Sequence, residues 1–167
     1  MGTRDQEGGL HPRGVNAKSV GRGGIDAAAM QHLLGFLLAM AGTGTRRVFE
    51  RHVGQPFELR EVEFTLLVLL YANHGAAPKQ LAQALNIAAP KLTLLLDKLM
   101  ARGLLERRRS PSDGRALQLH LTPEGEQLAQ RAHEVSQHME DGLLHVLSPA
   151  ERAMLRELLL KVGRVAA

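Results

Sequence analysis

The chain has 167 residues, of which 44% are apolar, and this is enough for one buried core plus an extended oligomerisation element. Its net charge of +4 favours a polyanionic partner, while the absence of cysteine excludes disulfides, thiolate catalysis and cysteine-based zinc sites. One Tyr, four Phe and no Trp argue against binding of single-stranded nucleic acid, which relies on aromatic stacking.

The N-terminal part of the sequence changes character near residue 25. Residues 1–24 are rich in Gly and Arg and lack periodic apolar positions, which predicts a disordered arm. The uncharged stretch from Ala27 to Thr45 has an apolar part shorter than the ~18 residues of a membrane span, so it predicts a buried helix instead. With Asp26 as N-cap, this helix runs to about His52, and its several apolar faces favour contact with a second subunit.

Three further helices are predicted before the first strand. One runs from Glu58 to Asn73, with Gly75 as its left-handed C-terminal residue. A short helix starts at Pro78, because proline suits the first helical turn. Pro90 opens the next helix, which stops at Gly103 and buries a stripe of leucines: Leu92, Leu95, Leu96 and Leu99.

A basic hairpin is predicted between Gly103 and Gly125. Its turn residues are Pro111, Asp113 and Gly114. After the turn, Leu117, Leu119 and Leu121 alternate with polar residues, which predicts a strand with one buried face. Arginines flank the turn on both sides, an arrangement that suits a phosphate backbone: Arg107, Arg108, Arg109 and Arg115.

The C-terminal part is predicted to be helical. Thr122 and Pro123 begin a long helix that reaches about Leu147, and Ser148 with Glu151 forms a capping box for a last helix. The fold class is therefore mainly α with a small β-hairpin. Two short helices followed by a basic hairpin are typical of a winged helix-turn-helix, in which the second short helix enters the major groove of DNA.

Several motifs resemble those of the MarR-type (multiple antibiotic resistance regulator) transcription factors. The resemblance covers about Asp26 to Val165, and Leu59 with Glu63-Phe64 matches the usual start of the second helix. Its most specific motifs are Leu96-Asp97-Lys98-Leu99, Arg102-Gly103-Leu104, Glu106-Arg107, Asp113-Gly114-Arg115 and Leu121-Thr122-Pro123-Glu124-Gly125.

The resemblance implies a homodimer that binds a pseudo-palindromic operator in double-stranded DNA and represses genes until a small molecule, such as an aromatic acid, releases it. Since no disulfides are required, a cytoplasmic location is expected, and the residue patterns predict no enzymatic activity, cofactor, bound metal or membrane association. The division expected on this basis is an arm at 1–24, a dimerisation helix at 25–57, a winged domain at 58–122 and dimerisation helices at 123–167.

The resemblance also implies which residues contact DNA. Arg115 is expected in the minor groove, and Asp113 either orients the wing by pairing with an arginine or is a simple turn residue. Leu94 departs from the family pattern, which more often has a polar residue there, so thymine methyl contact or DNA shape takes a larger share of recognition. The predicted DNA-binding residues are Lys79, Gln80, Pro90, Lys91, Thr93, Leu94, Lys98, Arg107, Arg108, Arg109, Asp113 and Arg115.

An effector pocket is expected between the dimer helices and the winged domain. Its candidates are His32, Phe36, Met40, Arg60 and Phe64. Arg60 either holds the carboxylate of an aromatic acid or is a solvated arginine, and His32 and Phe64 are either pocket or ordinary core residues.

Two other classes of function are weighed against the regulator. The eight histidines invite an enzymatic or zinc-sensing interpretation, but none lies in an HExxH motif, a nucleophile elbow or a closed ligand set. A structural, nucleoid-like DNA-binding protein without a ligand remains the alternative. Footprinting separates the two, because a regulator protects one short palindrome and a structural protein covers DNA uniformly.

Overall fold

The structure is a computed structural model that describes residues 25–109 and 117–165. Strands β1 (Leu105–Arg109) and β2 (Leu117–Leu121) form an antiparallel pair. The helices are α1 (Leu34–Phe49), α2 (Gln55–Phe57), α3 (Glu61–Ala72), α4 (Pro78–Ala84), α5 (Ala89–Ala101), α6 (Pro123–Ser136) and α7 (Pro149–Val165). Within the described ranges, no helix is both long and apolar enough to cross a membrane.

The chain forms two compact units, one ending at Thr43 and the other beginning at Gly44. The core of the second unit is built from leucines of α3, α5 and β2 together with two alanines of α6: Leu66, Leu67, Leu70, Leu92, Leu96, Leu99, Leu119, Ala129 and Ala132. Each fully buried leucine contributes roughly 1.5–3 kcal/mol of transfer free energy. This core also contains Phe49 and Val53, which belong to the predicted dimerisation helix at 25–57. The predicted division at residues 57 and 122 therefore describes the functions of the segments, and it stays a prediction.

Helices α4 and α5 form the predicted helix-turn-helix. Asn86 adopts a left-handed backbone (φ 50°) after α4, and the Ile87 N–H donates to the Ala82 carbonyl at 3.0 Å, which ends the helix and turns the chain. The predicted start at Pro78 and the stop of α5 before Gly103 (φ 70°) are both confirmed. The hairpin joins this motif through the Leu119 N–H, which donates to the Ala76 carbonyl at 3.0 Å.

The first two predicted helices begin later than the sequence pattern indicates. The Asp26 carboxylate accepts the Ala28 N–H at 2.9 Å, but it caps only a 3-10 turn at Ala28–Met30, and α1 begins at Leu34. The helical path then continues past the predicted end at His52 through a π-helical segment, Glu50–Gly54, into α2. It ends at Glu58, which was predicted to begin the next helix but has a left-handed backbone (φ 52°) that no helix can include.

The predicted long helix from Pro123 to Leu147 is also wrong in length. Helix α6 ends at Ser136, whose hydroxyl donates to the His133 carbonyl at 2.7 Å and so competes with the helical hydrogen bonds. A turn and a 3-10 segment at Leu144–Val146 follow before α7. The Ser148–Glu151 capping box is confirmed, with the Glu151 carboxylate accepting the Ser148 N–H at 2.8 Å.

One face of β2 is only partly buried. Leu119 and Leu121 are buried as predicted, whereas Leu117 is 49% exposed. The register explains this, because Leu121 pairs with Leu105 next to the core, and Leu117 pairs with Arg109 four residues further along the hairpin. The outer half of the hairpin therefore extends beyond the core.

Helix α6 starts at a close contact with the chain that leaves α5. The Thr122 hydroxyl donates to the Gly103 carbonyl at 2.6 Å and accepts the Gly125 N–H at 3.1 Å, so it caps α6 and joins it to that segment. Gly125 is buried, and a Cβ atom at this position would lie 2.0 Å from the Leu104 carbonyl oxygen. The glycine at position 125 is thus required by the approach of two backbones.

We expect Gly125→Ala to lower the free energy of unfolding by about 3 kcal/mol or more, since a backbone carbonyl cannot move aside without shifting the hairpin. Gly142→Ala is the control, because no heavy atom lies within 4 Å of a Cβ atom there. Urea unfolding measures both variants, and equal midpoints would contradict the close-approach explanation.

Candidate nucleic-acid interface

The outward face of α5 is set by the leucines on its other side. Leu92, Leu96 and Leu99 are buried, which leaves the predicted contact residues of the helix facing solvent. Leu94 is 72% exposed, far more than a leucine of this core. The Thr93 hydroxyl donates to the Ala89 carbonyl at 3.1 Å, so it presents a methyl group and a hydrogen-bond acceptor to solvent. The exposed residues are Pro90, Lys91, Thr93 and Leu94.

Helix α4 carries two exposed polar residues, Lys79 and Gln80. Lys79 lines a cleft with Thr93 of α5, whereas Gln80 lines a different cleft with Leu69 of α3. The Gln80 side-chain oxygen accepts the Ala77 N–H at 2.8 Å, which supplies a cap that the alanine side chain cannot. The Gln80 amide nitrogen therefore remains available as a hydrogen-bond donor.

The three consecutive arginines of β1 do not face the same way. In the register of the hairpin, Arg107 lies opposite Leu119 and Arg109 opposite Leu117, so both are on the leucine face. Arg108 is on the other face, where it forms an ion pair with Glu106. Among the described residues, Arg109 is exposed and has no ion-pair partner. The turn with Asp113 and Arg115 lies outside the described residues.

Helix α5 and the hairpin are joined by an ion pair that was not predicted from the sequence. Arg107 Nη2 lies 2.9 Å from Asp97 Oδ1 on α5. This pair is separate from the predicted pairing of Asp113 with a wing arginine, which stays a prediction because Asp113 lies outside the described residues. The contact is exposed and contributes up to about 1 kcal/mol, so it orients the two elements more than it stabilises them.

Lys98, also predicted to contact DNA, is held by a buried carboxylate. Its Nζ lies 2.7 Å from Oε1 of Glu63, whose side chain is 1% exposed. Glu63 Oε2 accepts the Arg60 N–H at 2.9 Å at the start of α3. Burial by itself raises the pKa of Glu63, but the Arg60 N–H and the Lys98 ammonium outweigh it and hold that pKa below its ordinary value.

Glu63 was not among the predicted site residues, although the sequence holds a signal for it. It stands three residues after Arg60 and opens an apolar run, which is the spacing of the acidic member of a capping box. The signal indicates a cap, and it does not indicate that the second oxygen meets a lysine 35 residues further along the chain.

The predicted effector residues fall into both units. His32 is exposed, and Phe36 and Met40 are half-buried, in the unit that ends at Thr43. In the other unit, Phe64 packs edge-on against Phe49, with ring centroids 5.6 Å apart. A cavity of about 290 Å³ lies beside these two rings, and Arg60 does not line it; its lining residues are Thr45, Phe49, Glu61, Phe64, Thr65, Met139 and Glu140.

No group of three or more His, Asp or Glu side chains with metal-site geometry occurs within residues 25–109 and 117–165. The histidines of these ranges are scattered. Two of them make local contacts near the end of α6, where His138 Nδ1 lies 3.4 Å from Asp141 Oδ2 and His145 Nδ1 lies 2.7 Å from the Gly142 carbonyl.

Comparison with known proteins places this architecture in one family. A MarR family model matches residues 59–117. The chain is 28% identical over 130 residues to the multiple antibiotic resistance protein MarR of Salmonella typhimurium, covering 77% of this chain and 90% of that protein.

Two solved structures with DNA are similar over most of their length. The transcriptional repressor CouR, bound to a 23-mer DNA duplex, is 34% identical with a TM-score of 0.71, covering 83% of this chain and 98% of that one. A mutant MarR from E. coli complexed with operator DNA is 27% identical with a TM-score of 0.72, covering 83% of this chain and 99% of that one. The winged helix-turn-helix, the hairpin and these matches together show that the chain belongs to the MarR family of transcription regulators.

Proposed function

We propose that the chain is a repressor that binds a pseudo-palindromic operator as a homodimer and leaves it when a small molecule binds. The observation that carries this proposal is the outward face of α5. Its buried leucines force Lys91, Thr93 and Leu94 outward, next to a hairpin whose strand bears consecutive arginines. The two solved relatives in complex with DNA support the same use of this fold.

The exposed groups of α5 indicate how bases are recognised. Leu94 carries no hydrogen-bonding group, so we propose that it contacts a thymine methyl, with the Thr93 methyl beside it. Lys91 is exposed at the start of this face and donates to a phosphate. With few hydrogen bonds available on α5, a larger share of the affinity falls to the hairpin arginines and to the shape of the minor groove.

Uncovered apolar faces support the homodimer. On α7, Met154, Leu155 and Leu158 are 60%, 41% and 51% exposed in the single chain. The N-terminal unit likewise exposes apolar residues at helical spacing: Met30, Leu33, Leu34, Leu37 and Leu38. Apolar surface of this extent is expensive in water and marks an interface, and the family supplies the occupant, a second copy of the chain.

We expect Arg115→Ala to weaken operator binding by at least about tenfold, because it removes the proposed minor-groove contact in each subunit. The thermal unfolding midpoint should stay unchanged. Gel shifts at fixed salt on the DNA upstream of the chain's own gene measure the affinity. Arg51→Ala is the matched control, since it removes the same charge from an exposed site outside the hairpin. Equal affinity of the two variants would contradict the wing assignment.

We expect Leu158→Asp to convert the dimer into monomers at micromolar concentration, since a carboxylate in an apolar interface loses its hydration without gaining a partner. Arg156→Asp places the same carboxylate on the opposite face of α7 and should leave the dimer intact. Sedimentation velocity distinguishes the species. Dimers in both variants would show that this face of α7 is not the interface.

The cavity beside Phe49 and Phe64 is our candidate effector site in the unit that begins at Gly44. Its two aromatic rings suit a planar ligand. Arg60 does not line the cavity but directly precedes the lining residue Glu61, and we propose that its side chain meets the carboxylate of an aromatic acid that protrudes from the cavity. Glu61 and Glu140 bring negative charge to the lining, so the attraction of Arg60 must outweigh their repulsion.

We expect aromatic acids to release operator DNA, and Arg60→Gln to raise the concentration needed by about tenfold, the loss of one charge-assisted hydrogen bond. Fluorescence anisotropy of labelled operator measures release. The amide and amine analogues of each acid are the matched controls, because they keep the ring and change the charge. Release by amines and not by acids would contradict the role of Arg60 and would show that the ligand pairs with the carboxylates of Glu61 and Glu140.

A further inference from the structure

The buried carboxylate of Glu63 joins α3 to the C-terminal end of α5. One oxygen contacts the Lys98 ammonium of α5 at 2.7 Å, and the other accepts the Arg60 N–H at 2.9 Å at the start of α3. Arg102, just after α5, is the second cation beside this carboxylate, with Nη1 3.9 Å from Glu63 Oε2. The same nitrogen donates to the Glu58 carbonyl at 3.0 Å. The end of α5 is thus attached to the chain segment that leads into α3.

Lys98 and Lys91 differ in their ion-pair partners, although helical periodicity places them on the same side of α5. They are seven residues apart on α5, so they project from nearly the same side of the helix. Lys91 is exposed and has no ion-pair partner among the described residues. Lys98 keeps 48% of its side chain exposed, yet its ammonium is directed to Glu63. Only one of the two charges is therefore free to approach a phosphate.

We propose that Lys98 is a positioning residue, which holds α5 on α3 through Glu63 and neutralises no phosphate of the operator. The inference rests on the operator binding proposed above. A lysine that turned to a phosphate would leave a 1% exposed carboxylate without its closest cation. Arg102 stands farther away, with Nη1 3.9 Å from Glu63 Oε2 and donating to the Glu58 carbonyl, so Lys98 provides the direct hydrogen bond to the carboxylate. Because breaking a buried pair on one side is strongly unfavourable, Lys98 stays with Glu63 when DNA is bound.

The pair sets the angle at which α5 meets the major groove. Its two charges link the C-terminal half of α5 to the first turn of α3, while Lys91, Thr93 and Leu94 occupy the N-terminal half. If α5 tilts at the end held by the Glu63–Lys98 pair, the DNA-contacting residues at its N-terminal end move as well. Loss of the pair should therefore lower affinity and alter base preference without changing the number of phosphates that the protein neutralises.

Salt dependence separates a positioning lysine from a phosphate-binding one. The slope of log K against log salt falls by about 0.9 for each phosphate that the protein no longer neutralises, hence by about 2 for a dimer. We expect Lys98→Met to weaken operator binding about tenfold with the slope of the wild-type chain. Lys91→Met is the matched control on the same side of α5, and its slope should fall by about 2. Lys98→Gln retains a hydrogen-bond donor for Glu63 and provides a second, milder variant with the same expectation.

Thermal unfolding of a double-mutant cycle tests the pair without DNA. Glu63→Gln removes the charge that needs Lys98, so the variant with both Glu63→Gln and Lys98→Met should be less destabilised than the sum of its single changes. The cycle of Glu63→Gln with Lys91→Met should be additive.

A slope that falls as much in Lys98→Met or Lys98→Gln as in Lys91→Met would overturn the inference, as would an additive Glu63–Lys98 cycle. Absence of any operator binding by the wild-type chain would instead refute the proposed function. The unfolding cycle would still decide whether Lys98 is committed to Glu63.

Discussion

Burial of the leucine stripe of α5 is the constraint on which the rest of the DNA-binding unit depends. Leu92, Leu96 and Leu99 admit only one rotation of the helix about its axis, and the outward direction of Lys91 and Leu94 follows from it. Rotation about the axis leaves the tilt free, however. The tilt is restricted by polar contacts at the C-terminal end of the helix, where a buried carboxylate needs a cation.

The hairpin is tied to the same helix from two sides. Gly103 ends α5 with a left-handed backbone, and the Thr122 hydroxyl then binds its carbonyl, so the start of α6 is fixed relative to the end of α5. The Leu119 N–H binds Ala76 ahead of α4. The hairpin is thus attached to both ends of the helix-turn-helix, which is how a short two-stranded element holds its arginines in a defined position.

Most elements were predictable because their signals are local. Proline at the first turn of α4 and α5, the Thr122 cap and the Ser148–Glu151 box each act within a few residues, and all are present in the structure. The error at Glu58 occurs where longer-range packing decides the outcome. Glu58 belongs to the left-handed end of one helical path because Leu59 must enter the core, and the N–H of Leu59 closes that turn on the Gly54 carbonyl.

The sequence by itself determined the winged helix-turn-helix and the outward residues of α5, because apolar periodicity and caps are properties of neighbouring residues. Tertiary structure alone decided what each charge does. Lys91 and Lys98 have the same helical position and charge, and only the approach of α3 brings a buried carboxylate to one of them. The same holds for Gly125, where the reason for a glycine is a carbonyl oxygen 21 residues earlier in the chain. Contacts between distant residues arise from packing, which no local pattern encodes.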